Sequence, residues 1–137
     1  MDGSYGVEDL RRTDILMSSL SEFLAPDTLT TFLVVTPGAE VAAVKDYLSC
    51  WSSLPIEVMA EEDLVPELTR YSGLRGWRKQ QLVKLASTRV LSSEFCLTFD
   101  ADVFSTRPTS LQELLPGGKA LIQYESRAQH PRWWASS

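Results

Sequence analysis

Two aspartates, Asp100 and Asp102, stand at the exit of an apolar run in residues 95–108, FCLTFDADVFSTRP. Being two apart, they leave on the same face if the extended conformation of the run persists through them. Carboxylates held that close repel unless a cation, a hydrogen-bond network or open water relieves them. A divalent cation is the partner with the most chemistry to offer. Mg2+ and Mn2+ favour carboxylate oxygens, and Mg2+ is commonly held by one or two carboxylates together with phosphates and water. An ion held by Asp102, directly or with Asp100 through water or a sugar hydroxyl, would neutralise a diphosphate and stabilise it as a leaving group. The plainer reading makes Asp100 a turn former at a strand end and Asp102 a solvated charge. Against it, the exit of an apolar strand is a poor place for unpaired acids.

The elements that must position this pair follow from periodicity. Residues 7–24 carry Leu10, Leu16, Met17, Leu20, Phe23 and Leu24 at three-to-four spacing, which predicts an amphipathic helix ending before Pro26. TTFLVV, residues 30–35, closed by Thr36-Pro37-Gly38, reads as a buried strand. A helix is predicted over 39–50, with Val41, Val44, Tyr47 and Leu48 on one side, and a short strand over 56–59. EEDLVPEL then reads as a polar connection or helical turn broken at Pro66. Residues 77–91, WRKQQLVKLASTRVL, are strong helix formers, with Leu82, Leu85, Ala86 and Val90 as a core-facing stripe. On another face of the same helix lie Trp77, Gln81, Lys84 and Thr88, spaced by four, three and four. A strand over 95–99, a short helix over 110–115 and a further strand over 120–124 complete the pattern.

Helices alternating with strands in this order predict an α/β, Rossmann-like layered domain with a mostly parallel sheet. Ligands of such sheets bind beyond the carboxyl ends of the strands, where Asp100 and Asp102 fall. The chain opens on a helix where a domain of this type commonly opens on a strand, so the expectation is one partial domain over residues 1–137.

The bulk composition is consistent with that. At 137 residues, 44% hydrophobic and 23% charged, the chain has the balance of a single globular domain. A net charge of −5 argues against a general nucleic-acid binder, which needs a surplus of Lys and Arg. Cys50 and Cys96 have no metal-type spacing and read as buried or half-buried thiols in a reducing compartment. The opening MDGSYGVEDLRR lacks the apolar segment of a signal peptide, and no run approaches the roughly 20 apolar residues of a membrane span, so a cytoplasmic location is expected.

Residues 82–115, LVKLASTRVLSSEFCLTFDADVFSTRPTSLQELL, resemble the central segment of GT-A fold glycosyltransferases. In those enzymes a helix with a Lys-Leu pair precedes a strand ending in the DXD motif, and a further helix follows; the glycogenin-like retaining enzymes share the order. A bacterial group of glycosyltransferase-like proteins is closer still, sharing the segment GW-x-x-QQL-x-KL, here Gly76 to Leu85. The resemblance implies a nucleotide-sugar-dependent transferase in which Asp100 contacts the ribose or sugar of the donor. It further implies that Asp102 ligates Mn2+ or Mg2+ bridging the diphosphate, that Lys84 approaches the donor sugar or phosphate, and that Gln81 helps to orient the donor. The acceptor, a glycan, lipid or protein, has weaker candidates in Tyr124 and Glu125, which follow the last predicted strand. Against the family pattern, the first strand is expected to be missing, and the C-terminal acceptor region to be missing or reduced to the tail after Tyr124.

Other residues read more plainly. His130 is the one histidine and is taken as a surface or packing residue, and Trp133-Trp134 as packing aromatics. Arg107-Pro108 fixes the chain as it leaves the acidic loop, with Arg107 also placed to offset the carboxylates. No general base is evident; Glu113 and Glu125 are the acidic candidates. Two other functions compete. A partial α/β domain without a full donor pocket would act as a non-catalytic binding or assembly module. Phosphatases of the haloacid dehalogenase type also place an Asp-x-Asp after an apolar strand. In those enzymes, however, the residue four after the first Asp is typically Thr or Val, whereas here it is Phe104, and the motif arrives late in the chain.

Overall fold

The three-to-four spacing of the first segment does form a helix, α1, Val7–Phe23, and it buries Leu16, Met17 and Leu20. In the computed structural model, which describes residues 7–70, 73–74, 76–122, 124, 126 and 128, the chain leaves α1 through a tight turn. The Thr28 amide and hydroxyl both donate to the Ala25 carbonyl, at 3.2 and 2.7 Å, with Pro26 leading and Asp27 in the left-handed region at φ 62°. β1, Phe32–Thr36, follows, then a 3-10 turn over Gly38–Glu40, α2 over Val41–Leu48, and β2 over Ile56–Ala60. Short helical pieces, α3 at Glu61–Leu64 and a 3-10 turn at Pro66–Arg70, lead towards α4, Gly76–Ser87. α5, Leu111–Leu114, and a 3-10 turn at Pro116–Gly118 come last.

β1 and β2 pair in parallel, in register from Phe32 against Ile56 to Thr36 against Ala60. The crossover through α2 is what a parallel pair requires, since no hairpin can join strands running the same way. Alternation sends Phe32, Val34, Ile56 and Val58 to one face, where they pack on a core of Met17, Val44 and Leu48. Met17 is 1% exposed, and burying a side chain of that size contributes about 1.5–3 kcal/mol. The chain is thus an α/β protein with a small parallel sheet layered against α1 and α2.

The structure corrects three expectations. Residues 95–99 and the described residues of 120–124 do not join the sheet: among the described residues it has two strands, β1 and β2. Apolar and β-branched composition suits a strand but does not supply the neighbour whose backbone must pair with it. The segment around residues 93–99 meets β1 and its approach through side chains alone. Thr30 Oγ1 lies 2.8 Å from Ser93 Oγ, and the Phe32 and Phe99 rings are 6.3 Å apart. Leu97 is left 51% exposed. The stripe predicted over 82–90 fails for the same reason: the helix ends at Ser87, Ala86 is buried, but Leu82 and Leu85 on α4 and Val90 in the turn after it are not, and Leu85 is 72% exposed, because no sheet layer forms over them. Cys50 and Cys96 are both exposed free thiols, not buried ones. No helix among the described residues is long and apolar enough to cross a membrane.

Candidate functional site

α4 sets one wall of the site. Its first turns, rich in Arg, Lys and Gln, are good helix formers, and the Lys79 ammonium ion-pairs with Glu61, which is buried in α3. That contact fixes the helix by its polar side. One turn separates Gln81 from Lys84, so their side chains share a face.

The acidic residues do not continue an extended strand. The Val103 amide donates to the Asp100 carbonyl at 3.2 Å, closing a turn with Ala101 and Asp102 at its tip. The two carboxylates nevertheless reach one cleft, of about 320 Å³, together with Gln80, Gln81 and Lys84. Lys84 Nζ donates to Asp100 Oδ1 at 2.6 Å. Asp102 has no ion pair or hydrogen-bond partner among the described residues. Downstream, the Ser105 amide donates to Ser19 Oγ at 2.9 Å, and Ser19 in turn donates to the Leu16 carbonyl at 2.8 Å. The acidic turn is therefore held from α4 on one side and from α1 on the other. Thr109 adds to the second attachment: its amide donates to the Phe23 carbonyl at 2.8 Å and its carbonyl accepts the Ala25 amide at 2.9 Å.

Four of the six residues singled out in the sequence, Gln81, Lys84, Asp100 and Asp102, thus line one cavity. Tyr124 does not; it is 90% exposed and borders neither cavity described here. Glu125 lies outside the described residues, as do His130, Trp133 and Trp134. Arg107 pairs with Glu113, at 3.0 Å, and with neither aspartate among the described residues. Glu113 also accepts the Ser110 amide at 2.9 Å, capping α5, so its carboxylate is committed to local structure. No cluster of three or more His, Cys, Asp or Glu side chains able to hold a metal occurs among the described residues.

Four further residues line the cleft: Gln80 and Ala101, chain neighbours of expected residues, and two from further away. Arg12 comes from α1 and Trp77 from the first turn of α4. The four-and-three spacing from Trp77 to Gln81 and Lys84 was a usable signal. For Arg12 the sequence offers none, because only the packing of α1 beside the acidic loop brings it there.

A more open groove of about 910 Å³ lies between α1, the end of α2 and residues 104–106, floored by Ile15, Phe23, Trp51 and Phe104. Its size does not make it the better candidate. It is lined by the acids Asp14 and Glu22 without a lysine or arginine, whereas the smaller cleft gathers two cations, two carboxylates and two amides around one space.

Fold and site together define an α/β protein with two acids, one of them held by a lysine, lining a polar cleft. The chain belongs to DUF6492, a family of unknown function, which matches residues 1–137. No curated protein and no solved structure matches it.

Proposed function

We propose that the cleft binds the diphosphate of a nucleotide-sugar donor through Mn2+ or Mg2+, and that the protein is a glycosyltransferase of the GT-A type. One observation carries this: Lys84 is taken up by Asp100 while Asp102 brings an unpaired carboxylate to the same cleft. Oxygen donors of this kind suit a hard divalent ion that completes its shell with phosphate and water. The charge balance supports the same reading. Lys84 is paired with Asp100 and Asp102 keeps its negative charge, so the acidic turn offers a diphosphate little on its own. A divalent ion would give it the positive charge that a diphosphate needs. When bound, that ion would supply charge neutralisation for a departing nucleoside diphosphate.

The chain's own residues have separate tasks in this reading. Lys84 fixes the rotamer of Asp100 and leaves Asp102 as the direct ligand. The Gln80 and Gln81 amides offer donors and acceptors to hydroxyl groups. The acceptor is a glycan, lipid or protein. A cytoplasmic site of action is supported by the two unpaired thiols.

The test is a calorimetric titration of nucleoside diphosphates with and without Mn2+. Binding should strengthen at least about tenfold with the metal and lose that gain in Asp102→Ala. A second reading, a non-catalytic binding or assembly module, draws on the uncovered apolar residues of α4 and residues 95–104. Failure of every nucleotide to bind in either condition would favour it.

A further inference from the structure

Trp77 is 69% exposed, yet it borders a polar cleft and neither belongs to the core cluster nor makes a ring contact among the described residues. An indole left in water gives up the free energy that burial or stacking would recover. Its position on α4 is informative. Trp77, Gln81 and Lys84 fall at i, i+4 and i+7 on one face. At about 1.5 Å of rise per residue, Trp77 starts about 10 Å along the axis from Lys84. Both side chains lean towards the helix N-terminus, so this offset is kept. Along the wall the order is therefore an aromatic face, two glutamine amides, then the lysine and carboxylates.

We propose that Trp77 is the platform on which the base of the bound nucleotide stacks, an inference that rests on reading the cleft as a diphosphate site. The order of groups on the wall matches the order of groups in a nucleotide: planar base, hydroxylated ribose, diphosphate. A transferred sugar does not fit the same place. It is joined directly to the diphosphate and must lie beside Lys84 and the aspartates, two helical turns from Trp77. The base is set away from the diphosphate by the ribose, and that spacer is what the Trp77 to Lys84 offset requires. Because stacking is tolerant of base identity, the platform sets affinity for a nucleotide more than the choice among bases.

The experiment compares uridine diphosphate with inorganic pyrophosphate in the presence of Mn2+, for the unaltered chain, Trp77→Ala and Trp77→Phe. Trp77→Ala should weaken uridine diphosphate about tenfold while leaving pyrophosphate unchanged, and Trp77→Phe should restore most of the loss. Thermal melting confirms that each variant folds, as expected for an exposed side chain. Equal affinity changes for both ligands, or none for either, would overturn the inference alone. Absence of Mn2+-dependent pyrophosphate binding by the unaltered chain would instead overturn the diphosphate reading beneath it.

Discussion

Lys84 and Asp100 are 16 residues apart in the chain and 2.6 Å apart in space, Nζ to Oδ1. With 30% of the lysine and 64% of the aspartate side chain exposed, water screens the pair strongly. It should therefore matter for geometry more than for stability. In a double-mutant cycle of Lys84→Ala and Asp100→Asn, the coupling energy in chemical denaturation should stay below about 1 kcal/mol. Metal-dependent nucleotide binding should fall in both variants. A large coupling in stability with binding intact would show the pair to be a structural strut.

Ser19 is buried, and its hydroxyl is the acceptor for the Ser105 amide. Ser19→Ala leaves that amide without its partner, at a cost of about 1–3 kcal/mol. The midpoint of urea denaturation should drop accordingly, with nucleotide affinity falling too because the acidic turn loses its downstream attachment. Ser19→Thr, which keeps a hydroxyl, should recover part of both.

Tyr47 donates its hydroxyl proton to Asp14 at 2.5 Å. That hydrogen bond, helped by slight desolvation and by the Asp14 charge, raises its pKa above the ordinary phenol value. A raised folded-state pKa means that the fold favours the protonated tyrosine. The resulting stabilisation is full below the unfolded pKa, about 10, and is lost as pH rises through the folded value. The stability difference between the unaltered chain and Tyr47→Phe should be constant through neutral pH and shrink in alkali. A difference that grows with pH would contradict the assignment.

Asp27 occupies the left-handed region at φ 62° in the turn after α1. Asp27→Gly should be neutral or stabilising by up to about 1 kcal/mol, since glycine adopts that conformation without strain. Asp27→Val should destabilise by about 1–2 kcal/mol. Melting temperatures of the two variants decide the point.

What could be read from the sequence follows the range of the forces involved. α1, β1, α2 and β2 were legible because the helices are specified by their periodicity and the strands by short apolar runs, and β1-α2-β2 is a local unit. Gln81 and Lys84 were legible as one helix face, and the aspartates as neighbours in the chain. The exposed course of residues 95–99 was not legible, because strand pairing depends on a partner that local composition does not reveal. The open face of α4 follows from the same missing partner. Asp100 and Asp102 share a cleft for a reason other than the one expected: a turn, not an extended strand, gathers them.

The uncovered apolar side chains of α4 and of residues 95–104, with Leu121 and Ile122, carry a calorimetric consequence. Apolar surface already hydrated in the native state adds nothing to the heat-capacity increase of unfolding. The chain should thus fall below the usual value of about 12–15 cal/mol/K per residue. Its stability curve should be correspondingly flat, so that stability changes little across the temperatures between cold and heat denaturation.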